Sequence, residues 1–158
     1  MLIPSEQLRH EISQAYKINL DKYAWSKEFK EKIFSIELDK DLETSASTLQ
    51  EIYSHGYNIG HCGLTSRYLA RTFPQARLYY GRASLLVGTK DSPNGNHAWV
   101  TIDNQLIDTT LMISVPIEQT VNLGYIIEKE IAPSSARVLS EYELFEHDFK
   151  QQKQYIKK

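Results

Sequence analysis

Three side chains in this sequence are of types that together perform acyl transfer: the thiol of Cys62, the imidazole of His97 and the carboxylate of Asp108. A thiolate attacks a carbonyl carbon, an imidazole moves the proton, and a carboxylate on the far ring nitrogen fixes the tautomer. Cys62 is the sole cysteine of the chain. Thr-Ser-Arg-Tyr-Leu-Ala follows it closely, and Tyr68, Leu69 and Phe73 fall at helical spacing. The spacing predicts a helix over 62–73, stopped by Pro74, with Cys62 in its first turn. Unpaired backbone N–H groups and the helix dipole favour an anion there, which lowers a thiol pKa. The same N–H groups suit the oxyanion that forms when the thiolate attacks.

His97 and Asp108 are brought together by the strands that carry them. Residues 97–102 and 106–110 read as two strands joined at Asp103-Asn104. With a two-residue turn there, Thr101 faces Leu106 and Trp99 faces Asp108. His97, Trp99 and Asp108 then share one face, because strand side chains alternate. His97 and Asp108 become diagonal neighbours at roughly 7–8 Å between backbones, within reach of a side-chain hydrogen bond. A three-residue loop would put Asp108 on the opposite face. The helix bearing Cys62 has to pack across this pair.

The other elements follow from the same patterns. About the first 55 residues read as helices. Ser5 is placed to cap a segment with Leu8, Ile12, Ala15 and Tyr16 on one stripe. A second helix is predicted over 21–38 and a third over 44–55, with Gly56 at its C-terminal end. Residues 76–87 and 124–131 read as further strands, and 88–96 as a loop. A closing helix is expected over 140–156, with Ser140 and Glu143 as a capping box and Leu144, Phe145 and Phe149 on its apolar side. Helices, then a cluster of antiparallel strands, then a helix make an α+β fold in a single domain over 1–158, its catalytic core spanning 56–131.

Gly60-His61-Cys62-Gly63-Leu64-Thr65-Ser66-Arg67-Tyr68-Leu69-Ala70, then His97-Ala98-Trp99-Val100, then Ile107-Asp108-Thr109-Thr110 resembles the transglutaminase-like division of the papain-like cysteine enzymes. It also resembles the leader peptidases of lasso-peptide biosynthesis, which share that core. The resemblance implies Cys62 as nucleophile, His97 as base and Asp108 as orienter. It implies activities from peptide hydrolysis and deamidation to cross-linking and amine acylation, and some members of the superfamily are inactive. Thr109 stands where many members have proline. In the loop before Cys62, Asn58 is the favoured second oxyanion donor, since a side-chain amide is a neutral donor, with Tyr57 a further candidate. Trp99, on the His97 face, is a candidate wall of the substrate cleft.

Composition narrows the partners. The formal charge is −2 with scattered basic residues, so neither nucleic acid nor anionic lipid is an expected partner. The lysine-rich stretch 153–158 reads as a solvated terminus. A lone cysteine excludes an intramolecular disulfide and fits a reducing compartment. No signal-like start is present, and no apolar run approaches the roughly 18 residues of a membrane span. The expected location is cytoplasmic, and the expected partner is a peptide, protein or small amide substrate. The expected function is a thiol-dependent hydrolase of an amide or peptide bond, with no cofactor and no metal. Amine acyltransfer by the same triad, and a non-catalytic binding module on this scaffold, are the alternatives. His55, His61, Cys62, His97 and Asp108 are metal-competent types, but their spacing matches no zinc signature.

Overall fold

A computed structural model describes residues 3–37, 48–56, 62–89 and 92–131. Helix α1 (Pro4–Tyr16) starts on a proline, whose fixed φ and missing N–H suit a first helical position. Its N-cap is Ile3, so Ser5, expected as the cap, is instead buried within the first turn. The helix expected over 21–38 is divided. A 3-10 turn (Leu20–Tyr23) is followed by extended Ala24 and Trp25, and Ser26 then caps a new helix, α2 (Lys27–Phe34), by accepting the Phe29 N–H at 3.1 Å. The break has a tertiary cause: the Trp25 N–H donates to the Met112 carbonyl at 3.0 Å, and Ala24 bridges Ile113.

Helix α3 (Leu49–His55) is capped by Thr48 and ends on Gly56 at φ 79°, the left-handed conformation that glycine adopts without Cβ strain. Helix α4 (Cys62–Thr72) opens on Cys62, as the sequence predicts. The expected start of the third helix at Thr44, the loop residues Tyr57 and Asn58, and the closing helix of 140–156 lie outside the described residues.

Among the described residues, five strands form one antiparallel sheet: β1 (Arg77–Ala83), β2 (Asn96–Ile102), β3 (Gln105–Asp108), β4 (Ile113–Pro116) and β5 (Tyr125–Ile131), in the order β4-β3-β2-β1-β5. The α+β expectation therefore holds. Strand β1 is shorter than the predicted 76–87, because Ser84 turns away to donate its N–H to Gly124 and begins a 3-10 turn. Strand β4 was not predicted: it is four residues long and ends in a proline, which a sheet tolerates at an edge.

Alternation along the strands divides the core into two. Leu78, Tyr80, Ala98, Val100 and Ile107 pack with Leu49, Ile52, Leu64 and Leu69 of the helices. Trp99, Leu106 and Tyr125 pack on the other side with Ile12, Leu20 and Leu111. Each aliphatic side chain fully buried this way contributes on the order of 1.5–3 kcal/mol.

Candidate active site

The β2–β3 hairpin has the predicted two-residue turn. Asp103 and Asn104 lie at φ 49° and 63°, and the closing pair is Ile102↔Gln105. Two consecutive positive φ values define a type I′ turn, whose twist matches that of antiparallel strands. The register that follows pairs Thr101 with Leu106, as expected. His97 Nε2 and Asp108 Oδ2 are hydrogen-bonded at 2.9 Å, and neither side chain is exposed to solvent.

The paired ladder between β2 and β3 extends only as far as Val100↔Ile107. Beyond it, α4 is bonded to the end of β3: the hydroxyls of Thr65 and Thr109 share a hydrogen bond, and the Thr65 hydroxyl also reaches the Cys62 carbonyl at 3.4 Å. Thr109 thus ties the turn that bears the thiol to the end of the strand that bears the carboxylate. Strand β3 ends at Asp108 rather than continuing to Thr110. The Leu111 N–H donates to Asp108 Oδ1 at 3.0 Å and curls the chain into a turn.

Cys62 is half-buried and lies within electrostatic and hydrogen-bonding reach of the His97 ring. With Nε2 held by Asp108, the nitrogen left for the thiol is Nδ1. That atom is buried and, among the described residues, makes no hydrogen bond. Burial by itself lowers the His97 pKa. The Asp108 carboxylate, the neighbouring Cys62 sulfur and the hydrogen bond to Asp108 outweigh burial and hold it well above 6.5. For Asp108, burial by itself raises the pKa. The His97 charge and hydrogen bonds from His97, Tyr125 and the Leu111 backbone outweigh it and hold the carboxyl below 3.8. Both directions favour an imidazolium–carboxylate pair.

Tyr125 is a site residue that sequence reasoning did not single out. Its hydroxyl donates to Asp108 Oδ2 at 2.6 Å from the first position of β5. Only the pairing of β5 with β1 brings it there, and a tyrosine at a strand start carries no local sign of such a role. Trp99 shares the His97 face as expected but is 1% exposed, with its ring 6.1 Å from the imidazole and edge-on to Tyr125 at 5.3 Å. It backs the pair. A cavity of about 470 Å³ that it lines opens between Tyr79, Leu106, Val121, Ile126 and Ile127, and neither Cys62 nor His97 is among its walls.

Among the described residues, no three His, Cys, Asp or Glu side chains converge as a metal site. Among the same residues, no helix is long and apolar enough to cross a membrane. Fold and site together define an α+β protein with a buried His–Asp pair beside a thiol at a helix start. No family model, curated protein or solved structure matches the chain.

Proposed function

We propose that Cys62, His97 and Asp108 act as a catalytic triad in thiol-dependent acyl transfer, with hydrolysis of an amide or peptide bond as the outcome. The observation that carries this reading is the division of labour on one imidazole. Nε2 is committed to a buried carboxylate at 2.9 Å, while the buried Nδ1 has no hydrogen-bond partner among the described residues and a thiol lies beside the ring. The resemblance of the sequence around these three residues to the transglutaminase-like enzymes supports the same roles.

In this mechanism the thiol proton already resides on His97 as an imidazolium paired with Asp108, and the Cys62 sulfur attacks the carbonyl carbon as the thiolate. Backbone N–H groups of the first turn of α4 receive the oxyanion. The intermediate collapses as His97 returns the proton to the leaving nitrogen, so the C–N bond breaks and a thioester remains. His97 next deprotonates water, which attacks the thioester and releases the acid and the thiol. An amine in place of water gives transfer instead of hydrolysis. A lone thiol is compatible with a reducing compartment, and the substrate class this reading implies is a peptide, protein or small amide.

The test is alkylation by iodoacetamide at pH ~6, followed by intact mass, together with trapping by a panel of amide-derived electrophiles. An ordinary thiol, with a pKa of about 8.5, is mostly protonated at that pH. Wild type is expected to label at Cys62, and His97→Ala to label far more slowly. Against a trapped substrate class, Cys62→Ala and His97→Ala should each lose about 10⁴-fold or more in kcat, and Asp108→Asn roughly a hundredfold less than that. Wild-type turnover by Cys62→Ser, or undiminished labelling in His97→Ala, would sink the thiol mechanism.

A further inference from the structure

The Asp108 carboxylate receives donors from three separate parts of the chain. Oδ1 takes the Leu111 N–H at 3.0 Å, and Oδ2 takes both His97 Nε2–H at 2.9 Å and the Tyr125 hydroxyl at 2.6 Å. A hydroxyl on a carboxylate at that distance is a charge-assisted bond, among the stronger kinds in proteins. Tyr125 itself is held from several sides. It is 4% exposed and its ring packs edge-on against Trp99 at 76°. Its backbone position is set by Gly124, at φ 82°, where an added Cβ would press on Ser84. Burial, and secondarily the charge of Asp108, push the tyrosine's ionisation well above its usual 10. It therefore remains a neutral donor throughout the working range of the histidine.

These contacts fix the carboxylate against rotation. Oδ2 sits between two donors on different strands, and Oδ1 is pinned to the turn that follows. If the carboxylate turned, His97 would lose the partner that keeps Nδ1 directed at Cys62. We propose that Tyr125 is a positioning residue of the triad, acting on Cys62 solely through Asp108 and His97. This rests on the catalytic reading above and extends the proposed triad by one residue beyond Asp108.

The Tyr125→Phe variant removes the hydroxyl and keeps the ring, its contact with Trp99 and its place in the second core. The readout is the rate of Cys62 alkylation by iodoacetamide across pH. The chain has one cysteine, so intact mass reports it unambiguously. Tyr125→Phe is expected to slow alkylation at neutral pH about tenfold, the lower end of what losing a hydrogen bond to a charged group produces. On an Asp108→Asn background it should cause no further loss, since there is no longer a carboxylate to hold. The low-field Nε2–H proton resonance of His97 should broaden or vanish in Tyr125→Phe. A hydroxyl-retaining analogue, 3-fluorotyrosine at position 125, should keep the wild-type rate even if Tyr125→Phe folds poorly. An unchanged rate and resonance in Tyr125→Phe, an equal loss with and without Asp108, or an equal loss in the fluorotyrosine protein overturns the assignment. His97→Ala separates the two readings. If it labels like wild type, the triad itself fails. If it labels slowly while Tyr125→Phe does not, only the role of Tyr125 falls.

Discussion

His97 and Asp108 titrate as a unit, and the unit sets a window of stability. The raised His97 pKa contributes in full below 6.5 and is lost as pH climbs through the higher value of the folded state. The lowered Asp108 pKa contributes in full above 3.8 and is lost as pH falls through the lower folded value. The pair thus supports the fold fully between 3.8 and 6.5. Asp108→Asn should flatten both limbs of a stability-versus-pH curve and lower the His97 titration seen by imidazole NMR. Cys62→Ala should lower that titration by less, because Asp108 is the larger of the two raising influences. A His97 midpoint unmoved by Asp108→Asn would show that the carboxylate is not what charges the ring. At this scale Cys62, His97 and Asp108 were legible because each stands in a local context that positions it: a helix start, a strand start and a facing strand. Tyr125 and Thr65 were not, since their partners are set by how strands and helices pack.

The type I′ turn is the element on which the His–Asp contact depends. Asn104 sits at φ 63°, where asparagine is tolerated and a β-branched residue is strained. Asn104→Val should cost about 1–3 kcal/mol in urea unfolding, whereas Asn104→Gly should be neutral or stabilising. Equal melts for the two would mean that the turn conformation does not govern the hairpin. The turn was readable from Asp103-Asn104 alone, as were α4 and the Gly56 terminus of α3. The break between the 3-10 turn and α2 was not, because it is made by the Trp25 bond to Met112, a contact invisible to local periodicity. Strand β4 was missed for a related reason: its alternation spans only Ile113 to Val115, too short a run to stand out from the turn before it.

Across the whole molecule, the N-terminal helix is part of the site's support. Arg9, 7% exposed, donates from Nη1 to the Leu111 carbonyl at 3.0 Å, although the two are 102 residues apart in sequence. The N–H of the same Leu111 holds Asp108 Oδ1. Arg9→Met keeps the aliphatic stem but removes the donor, and should cost about 1.5–3 kcal/mol of stability. It should also slow Cys62 alkylation in protein that is still folded. Normal alkylation in a destabilised Arg9→Met protein would confine this arginine to a role in stability alone. The gap at the end of the β2–β3 ladder, where α4 ties in through Thr65 and Thr109, has a consequence for biogenesis. Cys62 leaves the ribosome before His97, Asp108 and Tyr125 are made, and none of these three lies on α4. Long-range contacts of this kind form late in folding. A chain that ends before β5 therefore holds Cys62 without this network, and the surroundings of the sulfur are complete only once β5 pairs with β1 and brings Tyr125 onto Asp108.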